Sequence, residues 1–177
     1  EAWMDVSGTA IVVGELGTVM RYENGAWSPM SPGSTTQELL SVWGSSLSDV
    51  YVVGRQSTAF HWIGTQYKPV TIDPAILQNF HTVNGTGADD VYVGSELISA
   101  PPMGNPAHGG GKIHHWDGDQ WTPLYFDPIH ELLSIWRHGQ AGFATGDSNS
   151  LLRDPAGDDG WARVWDVDGL PFYVNSV

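Results

Sequence analysis

Four basic or potentially basic side chains recur at one position of a repeated unit, in a chain that is otherwise strongly acidic. They are Arg21, His61, His115 and Arg153. If the repeated units are arranged around an axis, these four groups lie on one circle. Guanidinium and imidazole groups placed in this way can converge on an anion or a carboxylate, so this set is a candidate binding site. The structural alternative is that each side chain bonds to backbone, or to an aspartate of the neighbouring unit, and locks the units together.

Aromatic side chains recur at two further positions. One set is Trp27, Tyr67, Trp121 and Trp161, and the other is Tyr22, Trp62 and Trp116, with Asp154 in the fourth copy. Large rings contribute much of the burial energy between packed units, which favours a packing role. Trp62 and Trp116 are also candidates for a platform on which a sugar or a peptide stacks.

Metal-ligating residues are present, but their spacing gives little support for a metal site. His114 and His115 are neighbours on a strand and point to opposite faces, so they cannot share one metal ion. A pair of His108 and His115 lacks a third ligand. Asp166 and Asp168 offer hard oxygen ligands beside a glycine and are candidates for calcium, although the full EF-hand spacing is absent. No other cofactor is predicted.

The sequence lacks the common catalytic motifs, and spacing alone leaves a Ser-His-Asp triad open. The five arginines are widely separated, and no Gly-x-Ser-x-Gly motif is present. The run 109–112, Gly-Gly-Gly-Lys, lacks the glycine spacing of a phosphate-binding loop. We therefore expect a protein that is not an enzyme, with a glycosidase-like hydrolase as the least favoured alternative.

The elements that must position these residues repeat about every 40 residues. Leu39-Leu40-Ser41-Val42-Trp43 returns as Leu132-Leu133-Ser134-Ile135-Trp136, and Asp49-Val50-Tyr51 returns as Asp90-Val91-Tyr92. Each copy contains four short runs rich in Val, Ile, Tyr, Trp and Thr, separated by turn residues. Four strands per unit of this length predict an all-β fold, a β-propeller with four-stranded antiparallel blades.

The repeats define the expected domain organisation. We expect one propeller domain over residues 1–177, with blades of about 1–38, 39–79, 80–131 and 132–171. Residues 172–177 are expected to form either the closing strand of a four-bladed ring or the first strand of the next blade in a longer propeller. A β-sandwich is the alternative fold, but it gives no reason for the repeat.

Several of the repeated residues resemble a known group of proteins. Val42-Trp43-Gly44-Ser45-Ser46 with Asp49-Val50-Tyr51-Val52-Val53-Gly54, and His115-Trp116-Asp117-Gly118 with Trp121, resemble bacterial tryptophan-rich propeller repeats. These are close to the Asp-box (sialidase-type) and photosystem II assembly-factor propellers. The segment 117–121 is similar to the Asp-box turn but lacks its leading serine. The resemblance implies a propeller fold and leaves the function open, because propellers have many functions.

The third copy carries a long insertion between its second and third strands, at residues 95–111. Loops longer than roughly 12–15 residues are frequently functional, and the alternative is a disordered insertion. In an antiparallel blade this loop emerges on the same face as the connections between blades. We therefore expect a protein partner on that face, with Met103 and His108 among the contacts.

Composition limits the partners. Seven Lys and Arg stand against 20 Asp and Glu, which gives a net charge of −13 and argues against nucleic acid. No apolar run is long enough for membrane insertion. We expect a non-catalytic scaffold propeller that mediates protein–protein interaction within a larger extracytoplasmic assembly (secreted, periplasmic or on the cell surface). The alternative is a carbohydrate-binding propeller.

Overall fold

The computed structural model describes residues 1–98, 110–127, 130–147, 150–157 and 159–164. Within them the chain forms four sheets, here called blades 1 to 4. Blade 1 contains β1 (Ala2–Met4), β2 (Ala10–Val13), β3 (Val19–Glu23) and β4 (Ala26–Pro29), with a 3-10 turn at Glu15–Gly17. Blade 2 contains β5 (Leu39–Ser46), β6 (Asp49–Gly54), β7 (Ala59–Trp62) and β8 (Tyr67–Pro69).

Blades 3 and 4 follow the same plan. Blade 3 contains β9 (Gln78–Gly87), β10 (Asp90–Leu97), β11 (Gly111–Trp116) and β12 (Trp121–Asp127). Blade 4 contains β13 (Leu132–His138), β14 (Ala141–Gly146), β15 (Leu151–Asp154) and β16 (Ala162–Arg163). Each blade is an antiparallel meander in chain order, which confirms the expected all-β propeller blades. Met103, His108, Asp166, Asp168 and residues 172–177 lie outside the described residues.

The buried second strand of each blade explains how the blades stack. In β6 the side chains alternate between two hydrophobic clusters, as side chains of a strand must. Val50 and Val52 pack with residues of blade 1, whereas Tyr51 and Val53 pack with residues of blade 3. Complete burial of a valine contributes about 1.5–3 kcal/mol, so a run of such residues holds three blades together.

Neighbouring blades also meet through their first strands. The strand β5 packs against β1 and β2, β9 against β5 and β6, and β13 against β9 and β10. The glycines of blades 2 and 3 permit this approach. A β-carbon at Gly44 would lie 3.1 Å from Trp3 Cη2, and one at Gly85 would lie 2.8 Å from Trp43 Cη2.

The junction between blades 3 and 4 replaces both members of this contact. Asn84 stands where blade 2 has Trp43, and Arg137 stands where blade 3 has Gly85. The backbone N–H of Arg137 donates to Asn84 Oδ1 at 2.9 Å. At this junction a side chain smaller than tryptophan, Asn84, thus faces a side chain larger than glycine, Arg137.

A β-bulge recurs near the start of the first strand in blades 2, 3 and 4. The pairing passes from Leu39–Gly54 to Ser41–Val53 in blade 2, so Leu40 is the extra residue. By the same shift the extra residue is His81 in blade 3 and Leu133 in blade 4. A bulge redirects a side chain relative to the regular alternation of the strand.

The strand directions place the long connections on one side of the blades. The links from β4 to β5 and from β8 to β9 lie there, as do the ends of β10 and β12 and the starts of β11 and β13. We call this side the connector face. The opposite side carries short turns, such as Asn24-Gly25 between β3 and β4. Among the described residues, no helix has the length and apolar character needed to cross a membrane.

Candidate functional site

The four recurrent basic residues lie on the third strands of the four blades. Each is paired across the ladder with an apolar or aromatic residue of the second strand. The pairs are Ile11 with Arg21, Tyr51 with His61, Tyr92 with His115, and Phe143 with Arg153. Equivalent positions in the repeat are therefore equivalent positions in the sheets.

In blade 2 the imidazole of His61 is held by its own blade. It stacks on Tyr51 with ring centroids 4.1 Å apart, and its Nε2 lies 2.5 Å from Asp49 Oδ1. The Ser45 hydroxyl donates to the second oxygen of Asp49. This order differs from a hydrolytic triad, in which the imidazole lies between the serine and the acid.

Blade 3 repeats the arrangement and extends it to blade 4. His115 stacks on Tyr92 at 4.2 Å, and its Nε2 lies 2.9 Å from Asp90 Oδ1. Its Nδ1 lies 3.1 Å from Asp159 Oδ2, and the Tyr92 hydroxyl donates to Asp159 Oδ1 at 2.9 Å. Thr86 takes the place of Ser45 and donates to Asp90. The imidazole therefore connects two blades.

The environment of this network shifts two of its pKa values. Burial alone would raise the pKa of Asp90, but hydrogen bonds from Thr86, Tyr92 and His115 outweigh it and hold that pKa below its usual range. Burial, together with hydrogen bonds to Asp159 and Asp90, raises the pKa of Tyr92. Asp90 is thus held as a carboxylate and Tyr92 as a neutral hydrogen-bond donor.

The two arginines of the set also have neighbours in their own blades. Arg21 Nη2 lies 3.0 Å from Glu23 Oε1, and the Arg153 guanidinium lies 6.0 Å from the ring centre of Phe143. The four basic groups thus contact separate partners, each at its own blade or junction. Both histidines bind an aspartate of their own blade, Asp49 or Asp90, and His115 also contacts Asp159 of the neighbouring blade.

Trp62 and Trp116 are partly buried in the packing between strands. Trp62 lies 5.2 Å from Tyr67 between ring centroids, and its indole N–H donates to the Leu47 carbonyl at 3.1 Å. The ring centroids of Trp116 and Trp121 are 5.8 Å apart. Both indoles pack against hydrophobic clusters, which favours the packing role over a stacking platform.

His114 and His115 contact different groups, as adjacent residues of a strand do. His114 is fully buried, and its Nε2 lies 3.0 Å from Gln78 Oε1. Burial lowers the pKa of His114 to about 4, with an opposing effect of Asp73 and a smaller effect of Lys112 in the same direction as burial. The side chain is therefore a neutral core residue at physiological pH.

The connector face combines exposed apolar side chains with acidic groups. The large apolar residues exposed there are Leu16, Leu77, Ile98, Phe126 and Leu133. The backbone N–H of Ile98 donates to the Leu77 carbonyl at 3.1 Å, so these two residues are adjacent. A groove of about 400 Å³ between Ser57 and the segment 70–77 lies beside them.

The acidic groups of the connector face lie where second strands end and first strands begin. They are Glu15, Glu38, Glu96, Glu131 and Asp147. Arg55 pairs with Glu38, its Nε lying 2.7 Å from Glu38 Oε2. Lys112 pairs with Asp73 at 2.8 Å on the same side of blade 3. We call the edge of the connector face that carries these acidic groups the rim. The rim is thus rich in carboxylates beside an exposed apolar surface.

Sequence reasoning missed one cluster on this rim. His81, Glu96 and Glu131 place one ligand atom each within 4.8 Å of the others, and all three are partly buried. The signal available in the sequence is the repeat itself, because His81 stands where the other copies have Leu40 and Leu133. The convergence of Glu131 from the next blade has no signal in the spacing.

No protein-family model matches the chain, and no curated protein matches it. Solved structures that are similar to it include two of YCF48. YCF48 from Cyanidioschyzon merolae has a TM-score of 0.64 and 16% identity, over 88% of this chain and 50% of that one. YCF48 bound to D1 peptide has a TM-score of 0.63 and 17% identity, over 96% of this chain and 54% of that one. The chain spans about half the length of these structures, and the similarity confirms the propeller fold expected from its repeats.

Proposed function

We propose that the chain is a non-catalytic, protein-binding propeller whose connector face binds a peptide segment of a partner. The observation that carries this proposal is the combination of exposed Leu77, Ile98 and Phe126 with the carboxylates of the rim. Apolar side chains in a groove supply affinity, and a rim of one charge sign selects the partner. The similarity to YCF48, which has been solved with a D1 peptide, supports a peptide as the ligand.

The partner that fits this surface is basic and partly apolar. The whole chain carries a charge of −13, and the rim carboxylates concentrate negative charge at the connector face. Complementary charge accelerates encounter and makes binding sensitive to salt. We further propose that the chain works as a subunit of a larger extracytoplasmic assembly, an idea compatible with its acidic composition and with a chain that has no thiol to oxidise.

A peptide-array experiment tests the proposal. The purified chain is applied to arrayed peptides of varied charge and hydropathy, and basic peptides with apolar residues are expected to be enriched. Leu77→Ser and Phe126→Ser should reduce binding of the enriched peptides about tenfold or more, as loss of central apolar contacts does. Val6→Ser changes a fully exposed residue of the opposite face and serves as the matched control.

Two outcomes would overturn the proposal. One is the absence of any selected peptide, and the other is binding that Val6→Ser removes while Leu77→Ser leaves it intact. A glycan array run in parallel examines the carbohydrate-binding alternative. Sugar binding that is lost on changing Trp62 or Trp116 would replace the peptide as the ligand.

A further inference from the structure

Three side chains from two blades converge at the connector face. His81 and Glu96 belong to β9 and β10 of blade 3, and Glu131 directly precedes β13 of blade 4. Their ligand atoms lie within 4.8 Å of one another. His81 Nε2 lies 3.2 Å from Glu96 Oε2, and their side chains are 19% and 24% exposed. The cluster is thus sheltered but reachable from solvent.

We propose that this cluster binds a divalent transition-metal ion, for which zinc is the best match. One imidazole nitrogen and two carboxylate oxygens are ordinary zinc ligands, at bond lengths of about 2.0–2.2 Å. Tetrahedral geometry at these lengths puts ligand atoms roughly 3.4 Å apart. The His81–Glu96 separation of 3.2 Å already matches this spacing. Glu131 reaches it by a movement of at most roughly 1.4 Å, which a long side chain makes by adjusting its torsions.

The charges of the cluster favour a cation. Asn79 Nδ2 donates to Glu96 Oε2 at 2.7 Å, which fixes this carboxylate in place. A second carboxylate from Glu131 adds negative charge beside it. A divalent ion would neutralise both groups while the imidazole supplies a nitrogen ligand.

The junction of blades 2 and 3 shows that the repeated fold does not require His81, Glu96 and Glu131. At the junction of blades 2 and 3, the positions equivalent to His81, Glu96 and Glu131 hold Leu40, Arg55 and Asn79. Leu40 occupies the bulge of blade 2 that is equivalent to the one holding His81 in blade 3. Arg55, which stands in place of Glu96, is a base and pairs with Glu38. The fold is therefore compatible with leucine, arginine and asparagine at these positions. The His-Glu-Glu combination is a property of the blade 3–4 junction.

Three protein ligands leave room for a further ligand in the coordination sphere of zinc, as in sites that bind water or a second molecule. Because the cluster faces the connector side, this position is open to solvent. The ion would also join blade 3 to blade 4, so binding should stabilise the folded chain by an amount that grows with the logarithm of the zinc concentration divided by Kd. This inference does not depend on the proposed peptide binding.

Zinc titration of the tag-free chain tests the site. The protein is first dialysed against a chelator, and zinc binding is followed by calorimetry and by thermal unfolding. We expect one zinc ion per chain at this cluster and a higher melting temperature in its presence. His81→Leu should weaken binding by about tenfold or more and abolish the shift, because it removes a ligand. Leucine at the bulge is accepted in blades 2 and 4, so this variant is expected to fold.

Further variants make the result specific. Glu96→Gln and Glu131→Asn should each weaken zinc binding, and Glu131→Asn introduces the residue found at the equivalent position of blade 3. Glu23→Gln alters a carboxylate of blade 1 that pairs with Arg21, and it should leave zinc binding unchanged. The proposal is overturned if millimolar zinc does not bind. It is equally overturned if His81→Leu binds zinc as the unaltered chain does, since the ion then lies at another site.

Discussion

The indole of Trp43 in blade 2 lies against the backbone of Gly85 in blade 3, where a β-carbon would be 2.8 Å from Trp43 Cη2. Trp3 and Gly44 make the same contact one blade earlier, at 3.1 Å. A large ring and a residue without a side chain thus fit together at successive junctions. The dipeptide Trp43-Gly44 takes part in both contacts, because its ring packs on Gly85 of the next blade and its glycine makes room for Trp3 of the previous one.

Replacement of Gly85 by alanine is expected to lower the free energy of unfolding by about 1–3 kcal/mol, the usual cost of overpacking a core. The added carbon would lie 2.4 Å from the Asp90 carbonyl oxygen as well as against Trp43, so backbone must move. Urea unfolding measures the change. Gly14→Ala is the control, because a β-carbon there has no atom within 4 Å. Equal destabilisation by both changes would contradict the role of the gap.

Trp43 and Trp136 occupy one position of the repeat in different surroundings. Trp43 packs against the second core cluster, whereas Trp136 is 52% exposed. We expect Trp43→Ala to cost about 3–5 kcal/mol of stability and Trp136→Ala about 1 kcal/mol or less. Denaturant midpoints of the two variants give the comparison. A larger loss at Trp136 would mean that its exposed ring is covered in the folded protein.

Arg137 forms a buried ion pair with Asp154, its Nη1 lying 2.6 Å from Asp154 Oδ2. The guanidinium also lies 4.2 Å from the ring centre of Tyr92, so it fills the junction of blades 3 and 4. Arg137→Met is expected to destabilise the chain by about 3–5 kcal/mol, because it leaves the Asp154 carboxylate buried without its counter-charge. Thermal and urea unfolding measure this loss. Arg153→Met, at an exposed arginine of the same blade, should cost less than about 1 kcal/mol.

His114 should make the stability depend on pH. Burial lowers its pKa to about 4, against 6.5 for the ordinary side chain. Between these values the unfolded chain binds a proton that the folded chain excludes, so stability decreases as the pH falls through this window. His114→Gln removes the titrating group. We expect the unaltered chain to lose up to a few kcal/mol relative to this variant between pH 7 and pH 4.5.

Urea unfolding of both proteins at several pH values checks the expectation. The readout is the difference between their free energies of unfolding, in which the titration of shared carboxylates cancels. A difference that stays constant from pH 7 to pH 4.5 would show that His114 becomes protonated without cost in the folded state.

The sequence predicts the architecture well because every blade must meet the same packing requirement. Strand identity and turn position recur about every 40 residues, and β6 and β10 begin at the equivalent residues Asp49 and Asp90. The repeated Asp49 and Asp90 fix the same hydrogen-bonded network in two blades. The periodicity of the sequence therefore predicts the structural features that the blades have in common.

Features that differ between blades are harder to predict. The exchange of Trp43 and Gly85 for Asn84 and Arg137 is compensated across a junction, and linear spacing does not show which strands meet there. The His81, Glu96 and Glu131 cluster likewise arises where the repeat is broken and two blades meet. Departures from the repeat, more than the repeat itself, thus mark the candidate sites of this chain.

Because each blade packs on the blade that precedes it in the chain, the order of synthesis is also a workable order of folding. Once residues up to β8 have left the ribosome, blade 2 can close on blade 1 through β5 and through Val50 and Val52. Blade 3 then finds the Trp43 ring already in place. Translation would thus complete one junction between blades at a time, and each new blade would pack on a blade that is already folded.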